Sequence, residues 1–431
     1  MLLTLIYFVL ILGLIVLVHE FGHFFFAKLF GIYVYEFSIG MGPKIFGWKS
    51  KKGETDYSIR AIPIGGYCSL AGEDVDSDDN AKIPEDRRLG SKKVWQRFLV
   101  MFFGAGNNFL LAILILFVLA LGWGATTSDP VISEFANYIT VTNFTEDSSL
   151  SKAGMEVGDK ILQINDIVVD ANENASLEYY LNQISDDKLT FIVDRKNKAV
   201  EIEVKNTDNL INEVVYNVPM TAAEAGGLKI GDRILKINGH KIYTNDDISI
   251  YIQVEDKSKP LTFTVNRNGE KIDVDVTPVK EEVDGNTIYR VGVLSEGKVE
   301  HGFVPSVKYT FTKLGSLVRQ MVITLKGLFT GGLSVKQLSG PVGIYNVVGT
   351  QSKAGFENVL YLIALLSVNV GFINLIPFPA FDGGRILFLV IEKIKGSPVS
   401  PKVENIIHTI GFGLLLLLMV YITFNDILKL F

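Results

Sequence analysis

The residues best suited to chemistry are two histidines and a glutamate near the N-terminus. His19, Glu20 and His23 follow the pattern HExxH. Four residues make about one turn of an α-helix, so both imidazoles would project from the same face. Imidazoles at this spacing can share a zinc ion, and a glutamate beside them can take a proton from zinc-bound water. The pattern predicts a hydrolytic zinc site with His19 and His23 as ligands and Glu20 as catalytic base.

The motif lies inside a strongly apolar stretch, Leu2 to Phe26. A charged group within a bilayer costs about 2.5 kcal/mol or more, so polar groups retained there usually have a function. A chance occurrence of HExxH is therefore the weaker interpretation. The eighteen residues before His19 would cover about 27 Å of helix, which places the site within the bilayer, near its cytoplasmic face.

A hydrolytic zinc ion needs a third protein ligand and one open position. Asp382 is the best candidate, because Pro377 and Pro379 just before it should break an apolar helix and let an acidic residue point back toward the histidines. Taken alone, its Asp-Gly-Gly sequence is also typical of a helix cap or a turn. His408 begins a later apolar stretch without a partner motif. We predict one Zn²⁺ per chain.

These residues are positioned by an unusually apolar chain. Mean hydropathy is +0.30 over 431 residues, which rules out a purely soluble enzyme. The excess is concentrated in four stretches of about the length that crosses a bilayer. They are Leu2 to Phe26, Phe98 to Trp123, Val359 to Phe381 and Ile406 to Phe424. A net charge of −6 with no basic tract argues against nucleic acid as a partner.

The distribution of basic residues predicts the orientation. Eleven Lys and Arg residues lie between Lys44 and Arg97, whereas residues 124–151 contain none. Basic loops stay in the cytoplasm, so residues 31–97 should be cytoplasmic. The N-terminus and residues 124–358 would then lie outside the membrane.

The outer segment contains an internal repeat. Residues 154–165, which include Gly158-Asp159 and Asn165, return as residues 227–238 with Gly231-Asp232 and Asn238. Alternating apolar residues follow each copy, which predicts two small β-rich domains in tandem. The repeated sequence resembles the PDZ signature, and PDZ domains bind peptide ends or strands at a sheet edge. A purely structural role for the repeated residues themselves is the favoured alternative.

We therefore predict a multi-pass α-helical membrane protein with an inserted extracytoplasmic region of two PDZ-like domains. Residues 305–330 form an amphipathic helix that lies on the outer membrane surface or packs on its own protein. The predicted segments are a first transmembrane helix (1–30), a cytoplasmic segment with a membrane-associated β-hairpin (31–97), a second transmembrane helix (98–123), the PDZ-like domains (124–206 and 207–300), an amphipathic helix and linker (301–357), and the third and fourth transmembrane helices (358–384 and 405–425).

The motifs together resemble the site-2 protease family of intramembrane zinc metalloproteases, most closely its bacterial regulator-of-sigma-E branch. The matching stretches are HExxH, residues 37–43, residues 65–67, residues 108–112, the tandem repeat, residues 339–343, and the Asn-x-x-Pro-x-Pro-x-x-Asp-Gly sequence from Asn374 to Gly383. The resemblance implies that His19, His23 and Asp382 bind zinc and that Glu20 is the catalytic base. It also implies that Asn369 and Asn374 hold the substrate backbone, and that a hairpin around residues 57–67 adds the substrate as a strand.

The resemblance implies cleavage of single-pass transmembrane substrates in a bacterial cell membrane after their outer domains are trimmed, as with anti-sigma factors or remnant signal peptides. Three alternatives stay open. PDZ-like domains tethered by an inactive anchor would need no metal, a membrane zinc protease of another family would use a glutamate as third ligand, and a zinc transporter would need a polar path through several helices.

Overall fold

The computed structural model describes residues 2–50, 53–73, 83–126, 129–169, 176–196, 198–207, 210–283, 286–295 and 297–428. The chain divides into two compact units. The first comprises Met1–Thr126, Val299–Val322 and Leu338–Phe431, and the second comprises Thr127–Lys298 and Ile323–Gln337.

The helices and the strands have the following bounds, each numbered in chain order. The helices are α1 (Leu2–Leu29), α2 (Val94–Trp123), α3 (Ser149–Lys152), α4 (Leu177–Leu181), α5 (Ala222–Gly226), α6 (Asn245–Val254), α7 (Phe303–Thr330), α8 (Pro341–Ala354), α9 (Phe356–Leu375), α10 (Asp382–Lys395) and α11 (Pro401–Leu428). The strands are β1 (Val34–Lys49), β2 (Asp56–Leu70), β3 (Ala125–Thr126), β4 (Glu134–Phe135), β5 (Ile139–Phe144), β6 (Lys160–Ile164), β7 (Ile167–Val168), β8 (Lys188–Arg195), β9 (Lys198–Lys205), β10 (Val214–Asn217), β11 (Arg233–Ile237), β12 (His240–Lys241), β13 (Leu261–Arg267), β14 (Glu270–Val276), β15 (Val279–Val283), β16 (Asn286–Arg290), β17 (Val293–Leu294) and β18 (Val299–Glu300).

Among the described residues, four helices are long and apolar enough to cross a membrane: α1, α2, α9 and α11. They agree with the four predicted stretches and identify a membrane protein. Apolar side chains from α1, α2 and α9 form a shared core, in which Ile15, Leu116 and Val368 are fully buried. α11 differs, because only 6% of its apolar window is buried within the protein. A bilayer would cover these apolar side chains.

The third apolar stretch is shorter than predicted. The predicted segment 358–384 divides into α9, which ends at Leu375, and α10, which begins at Asp382. The prolines between them break the helix as expected. Gly383 and Gly384 then pack against this break, since a Cβ on Gly383 would lie 2.3 Å from the Ile376 carbonyl oxygen. Asp382 is thus the first residue of a new helix rather than part of the spanning helix.

The amphipathic segment 301–357 contains α7 and α8. The first unit holds the four apolar helices and is called the membrane unit below. Within it, Leu317 of α7 is buried and packs on the shared core of α1, α2 and α9, with Leu314 and Val318 beside it. Of the two placements left open by the sequence, packing on its own protein describes this part of α7.

The second unit contains the two sequence repeats as two antiparallel sheets. β5, β6, β7, β8, β9 and β10 form one sheet, and β11, β12, β13 and β14 form the other. Each sheet has its own buried core, around Phe191 in the first and Phe263 in the second. Residues 130–135 depart from the predicted boundary of the first domain (124–206), because Ile132 and Phe135 pack in the second core.

The repeated Gly-Asp sequence has the same structural role in both copies. Asp159 is buried, and its Oδ2 accepts a 2.9 Å hydrogen bond from the Glu156 backbone N–H. Its carboxylate also accepts two hydrogen bonds from Arg195. Asp232 makes the same contacts with the Lys229 amide and Arg267. These residues therefore shape the fold, which agrees with the structural interpretation of the repeat.

We expect the ionised Asp232 carboxylate to stabilise the second sheet at neutral pH and to lose this effect in acid. Although burial raises the pKa of Asp232, Arg267 and the Lys229 amide hold it below the usual value of about 3.9. Its contribution should be complete above that value and be lost as pH falls through the lower folded-state pKa. At neutral pH, Asp232→Asn should cost about 1.5–3 kcal/mol. Amide hydrogen exchange in β13 and β14 of the full chain measures this loss, with exposed Glu270→Gln as control; unchanged exchange would contradict the prediction.

Candidate metal centre

Two neighbouring histidines and an aspartate more than 350 residues later in the sequence meet inside the membrane unit. His19 and His23 lie on one face of α1, and Asp382 reaches them from the first turn of α10. Nε2 of His19 lies 3.3 Å from Nε2 of His23. Oδ2 of Asp382 lies 3.3 Å from the first of these nitrogens and 3.4 Å from the second. The three atoms thus form a nearly equilateral triangle.

This triangle has the size of one face of a tetrahedral zinc site. With metal–ligand bonds of about 2.1 Å, neighbouring ligand atoms in a tetrahedron lie about 3.4 Å apart. A fourth position on the far side of the metal would stay open, as hydrolytic zinc sites require. Within the described structure, Oδ2 of Asp382 has no hydrogen-bond partner although it is buried. A cation among the three atoms would satisfy it.

The other ring nitrogen of His23 fixes its tautomer. Nδ1 lies 2.8 Å from the carbonyl oxygen of Val100 on α2. A carbonyl oxygen can only accept a hydrogen bond, so Nδ1 carries the proton of the neutral imidazole. Nε2 then presents its lone pair to the triangle, which is the form that binds a metal.

His19 has a comparable neighbour in Asn108 of α2. The Asn108 amide is fully buried, and one of its two terminal atoms lies 3.4 Å from Nδ1 of His19. As placed, Nδ2 faces the ring while Oδ1 is buried without a partner in the described structure. Amide oxygen and nitrogen are assigned from hydrogen bonding, and exchanging them lets Oδ1 accept a hydrogen bond from the Nδ1–H group of His19. In that arrangement His19 also presents a free Nε2 lone pair.

A cavity of about 290 Å³ adjoins the triangle. Glu20 and Asn374 line it, together with the three ligand candidates. Asn374 is held by a 3.0 Å hydrogen bond from its Nδ2 to the Val370 carbonyl oxygen. Asn369 lies five residues before Asn374 on the same helix and does not line this cavity. Its buried Oδ1 has no partner in the described part of the chain. The structure therefore brings five of the six predicted site residues to one cavity.

The β1–β2 hairpin supplies another wall of this cavity. Tyr67 and Cys68 of β2 line it, and a Cβ on Gly66 would lie 3.7 Å from Cγ of Glu20. Tyr67 donates a 2.5 Å hydrogen bond to Glu36 of β1, and Arg60 pairs with the same carboxylate. Burial and the bond to Glu36 raise the pKa of Tyr67 to about 12, so the phenol stays protonated as a donor. This network fixes the hairpin beside Glu20.

Two features of the site escaped the sequence analysis. Gly22 and Gly104 allow α1 and α2 to approach closely, because a Cβ on Gly22 would lie 1.9 Å from the Phe103 carbonyl oxygen. Arg385 forms an ion pair with Glu73, and both residues line the cavity. Small residues in apolar helices are a known signal of close packing, and that signal could have been used for the glycines. The ion pair joins distant segments and left no signal in the sequence.

The comparisons with known proteins agree with this geometry. A family model described as "Peptidase family M50" matches residues 7–418. The chain is 35% identical to the "Probable protease eep" of Enterococcus faecalis, with 99% of both chains covered. It is 33% identical to the "Zinc metalloprotease RasP" of Oceanobacillus iheyensis over 99% of both chains. It is 31% identical to the "Regulator of sigma E protease" of Haemophilus influenzae over 98% of both chains.

We expect Gly104→Ala to reduce the zinc content of the purified protein. The added Cβ would lie 2.2 Å from Nε2 of His23 and 3.0 Å from Oδ2 of Asp382, so it would displace both atoms from the triangle. Gly122→Ala on the same helix is the matched control, since a Cβ there has open space around it. Elemental analysis of both variants measures the effect. A full zinc complement in Gly104→Ala would contradict the prediction.

Proposed function

This chain belongs to peptidase family M50 and is a zinc metalloprotease of the intramembrane site-2 type, and we propose that His19, His23 and Asp382 hold its zinc ion while Glu20 acts as the general base. The observation that carries this proposal is the triangle of three ligand atoms, with edges of 3.3–3.4 Å, within an apolar helix core. No other group of three His, Cys, Asp or Glu side chains with this spacing occurs among the described residues.

The bound ion supplies Lewis acidity, which polarises a carbonyl and lowers the pKa of a coordinated water toward about 7. Glu20 follows His19 directly on α1 and lines the cavity. Its carboxylate takes the proton of the attacking water and then delivers it to the leaving amine nitrogen. Val100 and Asn108 hold the two imidazoles in the tautomer that leaves Nε2 free. These partners keep the ligands oriented throughout the reaction.

Cleavage of a transmembrane helix requires its backbone hydrogen bonds to open first, because no water replaces them in the bilayer. Residues 56–59 of β2 pair with β1 residues on both sides, whereas residues 66–69 pair with β1 on one side only in the described structure, so the other edge of residues 66–69 presents unpaired backbone groups. We infer that the substrate adds to this edge as a strand. Asn374 would donate to the substrate backbone from inside the cavity. Asn369, whose Oδ1 has no partner among the described residues, is proposed as a second backbone contact outside the cavity lining.

The names of two relatives point to a substrate class: the "Regulator of sigma E protease" of Haemophilus influenzae and the "Regulator of sigma-W protease RasP" of Bacillus subtilis. We propose that this chain cleaves single-pass membrane proteins, such as anti-sigma factors or remnant signal peptides, in a bacterial cell membrane. The two β-sheet domains, as PDZ-like modules outside the membrane, would bind peptide ends or strands and admit substrates whose outer domains are already trimmed. The N-terminus would lie outside, and the active site near the cytoplasmic face.

A membrane-tethered binding module without activity was the main alternative. It predicts no metal site and gives no reason for three buried ligand atoms at tetrahedral spacing. The other two alternatives are also weaker. The third ligand candidate is an aspartate rather than a glutamate. His19, Glu20, His23 and Asn374 of the spanning helices line a single cavity, which is what a protease site requires.

Glu20→Gln should abolish proteolysis but leave zinc bound. The amide keeps the size of the carboxylate but cannot accept the proton, and general base catalysis contributes about 10² to 10⁴-fold. A single-pass model substrate, reconstituted with the protein in vesicles, gives the cleavage rate by gel analysis. Wild-type cleavage in this variant would contradict the assignment of Glu20.

Asp382→Ala should lose the zinc ion, since only two ligands would remain. Thr409→Val, at an exposed position of α11 that does not line the cavity, is the control. Elemental analysis of detergent-purified protein measures about one zinc per chain in the wild type. Retention of zinc in Asp382→Ala would show that another residue is the third ligand.

Asn374→Ala should slow cleavage while zinc content stays at the wild-type level. Loss of one backbone contact is worth about 1 kcal/mol, which corresponds to roughly a fivefold change in kcat/KM. Asn358→Ala, at a half-buried asparagine near the start of α9, is the matched control, because Asn374 is half-buried too and both amides bond to a carbonyl oxygen four residues earlier. An unchanged kcat/KM in Asn374→Ala would show that the substrate does not depend on this amide.

A further inference from the structure

His408 of α11 contacts the loop that leads to Asp382. The Ala380 amide donates a 2.9 Å hydrogen bond to Nδ1 of His408. Because Nδ1 accepts, the proton of the neutral ring is on Nε2. His408 does not line the cavity beside the triangle of ligand atoms, so it is neither a ligand nor a base there. Its contact with the loop is the role that the structure gives it.

Ala380 needs this contact because its backbone is strained. Its φ is +85°, a conformation that costs an L-residue energy and is normally left to glycine. Ala380 lies two residues before Asp382, and this turn sets the direction in which α10 begins. Such a conformation persists only when surrounding groups hold it. The bond to His408 is one such restraint.

The backbone of α11 is also close to the same loop. A Cβ on Gly411 would lie 2.5 Å from Cβ of Pro379 and 2.6 Å from its carbonyl oxygen. Gly411 lies three residues after His408, so both face the loop from one side of α11. The ring of His408 also contacts Phe388 of α10, with centroids 5.7 Å apart. α11 thus contacts both the loop and the helix that carry Asp382.

We propose that His408 is a positioning residue, whose Nδ1 holds the strained turn at Ala380 and thereby fixes Asp382 in the triangle of ligand atoms. This inference rests on the proposed function of Asp382 as the third ligand. It assigns a role to the helix that contributes no residue to the zinc site itself. The substrate class does not enter the argument.

Two near-isosteric substitutions separate the hydrogen bond from simple packing. His408→Leu keeps a branched side chain but has no acceptor, whereas His408→Asn can place its Oδ1 where Nδ1 lies. Residues that orient a metal ligand change metal affinity by about 10 to 100-fold. We therefore expect His408→Leu to weaken zinc binding by at least about tenfold in competition with a chelator. His408→Asn should retain most of the affinity.

The strain gives a second, independent prediction. Glycine adopts a positive φ at little cost, so Ala380→Gly should keep the turn in its present conformation without the hydrogen bond to His408. Combined with His408→Leu, it should restore most of the lost zinc affinity. Thr409→Val is the matched control and should leave the affinity unchanged. Thr409 is the next residue along α11, is exposed, and donates its hydroxyl hydrogen bond to the Asn405 carbonyl oxygen of its own helix.

Wild-type zinc affinity in His408→Leu would overturn the proposal. Equal losses in His408→Leu and His408→Asn would also overturn it, because ring packing rather than the acceptor would then matter. If His408→Leu fails to fold, hydrogen exchange in the wild type replaces it: the Ala380 amide should be protected, and fast exchange would overturn the proposal. Asp382→Ala separates the two levels. If Asp382→Ala retains zinc, the proposed ligand set is wrong. If Asp382→Ala loses zinc but His408→Leu binds zinc with wild-type affinity, only the role of His408 is wrong.

Discussion

The metal centre depends on how closely α1 and α2 approach each other. At Gly22 the backbone of α2 lies where a side chain would otherwise be, and at Gly104 the same holds for Nε2 of His23. Only because both positions lack a Cβ can the Val100 carbonyl and the Asn108 amide reach the outer nitrogens of the two histidines. The approach also leaves the space that Asp382 enters from α10. Ligand spacing is therefore set by backbone packing more than by the ligands themselves.

Polar groups inside a bilayer are tolerated when each finds a partner within the protein. Here the histidines bond to α2, Asn374 bonds back to its own helix, and Arg385 pairs with Glu73 at the edge of the cavity. The atoms left without partners in the described structure include Oδ2 of Asp382, at one corner of the triangle, and Oδ1 of Asn108 beside His19. A cation held by the triangle would satisfy the Asp382 oxygen, and the proposed chemistry takes place there.

Local pattern predicted much of this arrangement. The HExxH spacing, the prolines before Asp382 and the four apolar stretches each follow from one segment and its period, and the structure agrees on all three. Features that join distant segments could not be read in this way. No residue type near Ala380 predicts its positive φ. This conformation is restrained by a hydrogen bond from its backbone N–H to His408, which lies 28 residues later on α11. Likewise, residues 130–135 pack in the second core because they pair with strands that follow the whole first sheet.

On the proposed function, the hairpin would link substrate binding to chemistry through one short stretch of backbone. Gly66 approaches both the Ser38 carbonyl oxygen of β1 and the side chain of Glu20, so residues 66–69, which pair with β1 on one side only in the described structure, begin beside the proposed base. A strand added to the other edge of residues 66–69 would have its backbone in an extended form, with its helical hydrogen bonds already broken. The carbonyl to be attacked would then be exposed at the cavity without a separate unwinding step. Binding as a strand and exposure of the scissile bond are, on this proposal, one event.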